Sequence, residues 1–233
     1  MGDKSNKRAM PRLRIAAFLA CGLLAVSLLY VAEQAAEALR ALTPIEQERD
    51  GWQRPADILR ALDLKPGDTV VDLGSGVGYF TFKLSPIVGS SGTVVATDIR
   101  RESLVFLWIR TMLRGARNVR VIHGNEDDPR LPSQPADAVL VLNTYHELAH
   151  PATMLAVVFS HMKSGGRLVV VDRAPRAGRE ESRDAAAAHH EVAPDLADQD
   201  LRRAGFTPIS RDDRFIDRPG DDDVWWLITT TKP

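Results

Sequence analysis

Short segments rich in Val, Ile, Leu and Ala recur along the chain, at Thr69–Leu73, Thr93–Ile99, Val119–His123, Ala136–Leu142 and Arg167–Asp172. Segments of this length, bounded by turn residues, predict strands, and the first has the pattern of a buried one. Between them the apolar spacing is helical. Pro55–Leu62 puts Ile58, Leu59 and Leu62 on one face, and Lys65–Asp68 turns the chain into the first strand. Tyr79–Leu84 predicts a short helix stopped by Pro86 and the Gly89–Gly92 turn. Arg101–Leu113 predicts a longer one, with Leu104, Leu107, Trp108 and Met112 towards the sheet. Pro151–His161 predicts a further helix that Lys163–Gly166 terminates, and Asp195–Gly205 the last, with a glycine stop. Phe206 begins a sixth strand, and Val224–Thr230 predicts a closing strand with Trp225 and Trp226 on opposite faces. Strands alternating with helices predict an α/β fold.

Ahead of this pattern the chain changes character. Residues 15–32 carry no charge and follow a basic head, residues 1–14, in which Lys4, Lys7, Arg8, Arg12 and Arg14 face Asp3 alone. Eighteen such residues reach the lower limit for spanning a bilayer. The apolar core of a signal peptide is shorter, and the best small-x-small site, Ala36-Glu37-Ala38, lies past the run. An uncleaved anchor is therefore favoured over a cleaved signal; a membrane-surface helix and a misassigned start codon are the remaining alternatives. Residues 33–51, rich in Ala, Glu and Gln, read as a helical stalk, and residues 52–233 as the folded domain.

Composition narrows the partners. Residues 41–233 hold 24 Lys and Arg against 28 Asp and Glu, so nothing points to nucleic acid. Cys21 is the only cysteine, which excludes an intrachain disulfide and leaves the domain without a thiolate nucleophile. Phe18 stands where lipid attachment at Cys21 would need a small aliphatic residue. No Cys/His cluster is evident, so no dedicated metal is implied. Nothing in the sequence speaks to oligomeric state.

The candidate chemistry centres on Thr69–Phe80, where an apolar strand runs into Gly74, Gly76 and Gly78. Glycines so placed let the chain turn sharply and approach a ligand with its backbone. Asp72 sits two residues before the first of them, where an acid accepts from a cationic amine or ties down the loop. Asp98 ends the next strand, 26 residues on, about where a carboxylate receives ribose hydroxyls. Tyr79 breaks the longer GxGxxG form expected of a nicotinamide site.

With these residues in this order, the chain from about 52 to 230 resembles the Rossmann-like class of S-adenosylmethionine-dependent methyltransferases. The "helix, Lys-x-Gly-Gly, strand" unit at Lys163–Gly166 adds to the likeness. The resemblance implies a seven-stranded, mostly parallel sheet with helices on both faces and an antiparallel last strand between the fifth and sixth. It implies S-adenosyl-L-methionine as cofactor, with Asp72, Gly74, Ser75, Gly76 and Gly78 at the methionine end and Asp98 and Ile99 at the ribose. Asp127, or Glu126 next to it, would accept from the adenine amine; the alternative is a helix cap ahead of Pro129. Asn143–Glu147 would fall beside the methyl, with Asn143 among the cofactor contacts and Tyr145 over the sulfonium or closing the pocket. A basic head held in the cytoplasm would place the domain on the far side of the membrane, away from where this cofactor is made.

Methyl transfer from a sulfonium is a direct displacement, so alignment is the main requirement. His146 is the best candidate general base, with Glu147 to orient it or to meet the acceptor, a small molecule or a membrane-associated one. The structural alternative for His146 is a strand-end hydrogen bond. His146-Glu-Leu-Ala-His150 also matches the HExxH zinc-protease pattern, which needs a continuous helix, whereas Pro151 fits best as a helix start. Residues 174–194, with Arg176, Arg179, Glu180, Glu181, Arg183 and Asp184, read as a partly helical cover, and His189 and His190 as candidate substrate contacts. A membrane-tethered, non-catalytic binder of adenosyl ligands is the alternative function, and a hydrolase through residues 146–150 a third.

Overall fold

In the computed structural model of the chain, residues 9–176 and 183–233 are described. The chain forms two compact units, residues 1–48 and residues 49–233. The first consists of most of one 44-residue helix, α1 (Ala9–Trp52). The pattern predicts an apolar segment and a separate stalk; the structure runs them together through Pro44, because residues 33–41 are strong helix formers. An 18-residue window of mean hydropathy 1.3 makes this helix long and apolar enough to cross a membrane, by a test that a signal sequence also passes. Leu19, Leu23, Leu24, Val26 and Leu29 are exposed along it. Lys4, Lys7 and Arg8 of the basic head lie outside the described residues.

The second unit is built on seven strands: β1 (Thr69–Leu73), β2 (Thr93–Asp98), β3 (Val119–His123), β4 (Ala136–Leu142), β5 (Met162–Arg173), β6 (Thr207–Arg218) and β7 (Asp223–Thr231). Their order across the sheet is β3-β2-β1-β4-β5-β7-β6. The pairings among β1 to β5 are parallel, and β7 lies antiparallel to both β5 and β6. The helices are α2 (Pro55–Leu62), α3 (Thr81–Val88), α4 (Arg101–Arg114), α5 (Pro151–Ser160), α6 (Arg183–Ala188) and α7 (Pro194–Arg203). Alternate strand residues serve two cores. Val71, Val139, Val170 and Trp226 pack with Met154, Leu155 and Leu201 of α5 and α7. Val70, Leu140, Val169 and Trp225 pack with Ile58, Leu62 and Leu84 of α2 and α3. Covering both faces in this way is why the central strands are apolar at successive positions.

Three local expectations are corrected. Pro86 lies inside α3, which runs from Thr81 to Val88 instead of from Tyr79 to Leu84. Placed in the last turn, the proline forfeits one backbone bond, and the stop is Gly89 at φ 65°. The Lys163–Gly166 segment belongs to β5, which pairs Met162 with Ala136 before a bulge; α5 ends at Ser160. On α4, Leu104 and Leu107 are buried as expected, but Trp108 and Met112 are 56% and 67% exposed. Arg110 and Thr111 take the buried positions instead, with Arg110 Nη1 donating to Val77 O at 2.5 Å.

Candidate cofactor and acceptor site

The strand order reverses between β1 and β4, and the loops leaving their carboxyl ends run to opposite sides. A cavity of about 290 Å³ opens at that point. Its wall takes in the loop after β1, the end of β2, the loop after β3 and the exit of β4. Of the residues that sequence singles out, Asp72, Gly74, Ser75, Gly76, Asp98, Ile99, Glu126, Asn143 and Glu147 line it; Gly78, Asp127, Tyr145 and His146 do not. Arg49, Arg100 and Thr144 line it as well, and no local pattern distinguishes them in the sequence.

The three loop glycines have different tasks. A Cβ on Gly74 would stand 2.1 Å from Thr144 Oγ1, so the β1 and β4 loops touch there. A Cβ on Gly78 would strike Leu107 Cδ1 at 2.4 Å, so this glycine lets α4 pack against the loop and plays no part in the cavity wall. A Cβ on Gly76, where φ is +53°, would meet nothing within 4 Å. Its N–H donates to Asp98 Oδ2 at 2.8 Å, while Asp98 Oδ1 accepts from Arg100 N at 2.8 Å. Thr97 O takes the N–H groups of Gly74 and Ser75 at 2.9 and 3.1 Å. The end of β2 thus pins the loop from below.

Asp72 is buried beneath this loop and accepts from Thr81 Oγ1 at 2.5 Å, which ties it to the start of α3 and not to the glycines. Burial pushes its carboxyl up to about 6; the hydrogen bond from Thr81 opposes the shift and the charge of Asp98 adds to it. Ser75 Oγ is buried in the cavity wall without a protein partner among the described residues. A buried hydroxyl left unsatisfied is costly, and a polar ligand removes that cost. With Asp72 for an amine and Asp98 for hydroxyls, this donor and acceptor set fits an adenosyl amino acid.

In the loop after β3, Asn125 Oδ1 accepts from the N–H groups of Asp127 and Asp128 at 3.0 and 2.7 Å. That turn sends the Asp127 carboxylate outward to His150 Nδ1, at 2.7 Å, and leaves Glu126 on the cavity. Asp127 is therefore not placed for the adenine amine. No described helix starts here for it to cap, and Asp128 Oδ1 accepts from Arg130 N instead.

At the exit of β4, Asn143 adopts φ 52° and donates its N–H to Val171 O at 2.8 Å. Tyr145–Glu147 then forms a 3₁₀ turn. With three residues per turn, successive side chains point about 120° apart. Tyr145 consequently enters the core, with its hydroxyl donating to Asp200 Oδ2 at 3.0 Å and its ring edge-on to Trp226. Arg183 pairs with the same carboxylate, and burial drives the phenol pKa upward. A position over the sulfonium is thereby corrected. His146 is 4% exposed; its Nδ1 and backbone N meet the two oxygens of the buried Asp172, at 2.8 and 3.0 Å. Its Nε2 lies 3.2 Å from His190 Nδ1. The orienting carboxylate is thus Asp172 and not Glu147, which bonds Arg100 Nη2 at 2.9 and 3.1 Å. No continuous helix carries the HExxH pattern: Pro151 opens α5, His146 is buried, and His150 is exposed beside Asp127. Arg179, Glu180 and Glu181 of the expected cover lie outside the described residues.

The sequence profile of the methyltransferase-domain family matches residues 64–205. A curated relative, the ubiquinone/menaquinone biosynthesis C-methyltransferase of Ectopseudomonas mendocina, is 30% identical over 110 residues, 47% of this chain and 43% of its own. The chain thus spans less than half the length of the curated relatives it matches. A solved S-adenosylmethionine-dependent methyltransferase from Aquifex aeolicus superposes with TM-score 0.65 at 23% identity, over 77% of this chain and 90% of that one. A phosphoethanolamine N-methyltransferase from Haemonchus contortus, solved with S-adenosyl-L-methionine, gives TM-score 0.65 at 13% identity, over 78% and 53%. These two likenesses establish the fold.

Proposed function

Since the chain belongs to the methyltransferase-domain family of the S-adenosylmethionine-dependent class, we propose that it methylates a membrane-associated small molecule. The observation that carries the reading is the unpartnered Ser75 hydroxyl, buried in a cavity wall between Asp72 and Asp98. Ser75 and the loop backbone would hold the amino-acid end of the cofactor. Asp72 would partner its ammonium, and that positive charge favours the ionised carboxylate against the cost of its burial. Asp98 would take the sugar hydroxyls on the lone pairs that Gly76 and Arg100 leave over. Glu126 would accept from the ring amine. The bound cofactor supplies an electrophilic methyl on a sulfonium. The protein's share is then to align the acceptor and keep water out. Asn143 and Glu147, on the β4 side of the cavity, are the residues assigned to the acceptor. His146, outside the cavity wall, is assigned a positioning role: it holds the 3₁₀ turn to β5 through Asp172.

The membrane part of the reading has two supports: the apolar stretch of α1, and the quinone-pathway role that the name of the curated relatives states. Calorimetry of the full chain in detergent with S-adenosylhomocysteine tests the cofactor site. Binding is expected, and Asp98→Ala should abolish it. A folded chain that gives no binding would overturn the proposal. Cofactor consumption with a membrane lipid extract as acceptor source tests the second half. Binding without turnover under any such extract would leave a non-catalytic adenosyl binder.

A further inference from the structure

We propose that His146, Glu147 and His190 form a binding site for a divalent first-row transition cation of the zinc type. One ligand atom from each lies within 4.8 Å of the other two. His146 Nε2 is 3.2 Å from His190 Nδ1 and 3.8 Å from Glu147 Oε1. Around a tetrahedral ion with bonds of about 2.0–2.2 Å, neighbouring ligand atoms sit roughly 3.3–3.6 Å apart. The two measured separations bracket that range. The third closes by rotation of the exposed His190 and Glu147 side chains, once Glu147 leaves Arg100.

Independent support comes from Asp172. It is fully buried, and it spends one oxygen on the backbone N–H of His146 and the other on Nδ1 of the same residue. That pair of bonds fixes the ring and its tautomer, so that Nε2 carries the lone pair. A carboxylate behind an imidazole in this way is the outer shell that metal-ligating histidines use. With Nδ1–H given to Asp172, contact between Nε2 and His190 Nδ1 requires one proton between two nitrogens, and a cation takes that proton's place. Two imidazoles and one carboxylate favour zinc-like ions over magnesium or calcium, which prefer oxygen alone. Three protein ligands leave a fourth position open. Glu147 also lines the cofactor cavity, so the ion would sit at its rim. The ion has to displace Arg100 from Glu147, and Arg100 is 61% exposed in that pair, which makes it a weak competitor.

Sequence spacing hides this site. The histidine that joins His146 is His190, 44 residues away in the chain, and not His150 of the HExxH pattern. The proposal does not depend on methyl transfer. Zinc alone is titrated into the metal-stripped full chain against a chromophoric chelator, and one equivalent should bind. His190→Ala and Glu147→Gln should each weaken binding at least about tenfold. Cobalt in place of zinc should give the visible bands of a four-coordinate site, absent in His190→Ala. Thermal unfolding verifies that each variant is folded. His190 lies outside the cavity wall, so His190→Ala should bind S-adenosylhomocysteine as the wild type does. Wild type that takes up no zinc equivalent, or His190→Ala that binds zinc equally well, would refute the site. Failure of homocysteine-ligand binding with zinc binding intact would strike the cofactor reading alone.

Discussion

The side of the cleft that rises from β1 and β2 is pinned by main-chain N–H groups, whereas the turn that leaves β4 on the opposite side is pinned by side chains that bond behind the cavity wall. On the first, the N–H groups of Gly74 and Ser75 are tied to Thr97 O and that of Gly76 to Asp98. On the second, Tyr145 reaches Asp200, 55 residues on, and His146 reaches Asp172 and His190, 26 and 44 residues on. A main-chain wall keeps its shape whatever side chains surround it, which suits a cofactor that does not vary. A turn held by side chains is reset by single substitutions, which suits the acceptor side of the proposed reaction.

The comparison breaks if main-chain geometry proves unimportant on the first side. Gly74→Ala should cost roughly 2–5 kcal/mol, from left-handed strain and the collision with Thr144 together, and should abolish S-adenosylhomocysteine binding. Gly76→Ala, with open space at its Cβ, should cost only about 1–2 kcal/mol. Chemical denaturation of the two variants checks the ranking. Asp72→Asn comes next. The folded carboxyl titrates above its ordinary 3.8, at about 6, so the wild type loses stability as pH rises through that window. The stability gap in favour of Asn should therefore widen between pH 4 and pH 7, by on the order of 2–3 kcal/mol, and melting curves across that range show whether it does. Asp98→Asn should weaken S-adenosylhomocysteine by about ten- to a hundredfold, through lost charge-assisted bonds, as read by calorimetry. The smallest effect sharpens the other side. Tyr145→Phe should lower stability by about 1 kcal/mol and leave turnover unchanged, since the hydroxyl serves Asp200 in the core. Turnover that falls with stability intact would return Tyr145 to the reaction.

Much of the first wall was legible because each cue there is local. Burial on both faces makes the middles of β1, β2 and β4 apolar at successive positions, and the glycines follow their strand directly. The second wall was not, since no spacing rule links Glu147 to Arg100 or His146 to His190. Tyr145 misled because the exit of the strand winds into a 3₁₀ turn, whose successive side chains point about 120° apart and send this ring into the core. Asp127 misled because Asn125 holds the turn through its side-chain oxygen, a choice settled by backbone geometry. Trp108 and Met112 fit a helical apolar stripe, yet Arg110 claims the inward position by bonding Val77 O, a loop carbonyl far off in the chain.

The contact of Gly74 with Thr144 joins the two walls at one point. An acceptor that shifts Thr144 has to shift the cofactor loop with it. Under the proposed placement the two occupants would not be energetically independent, and whatever factor either imposed on the affinity of the other would be returned unchanged in the opposite direction.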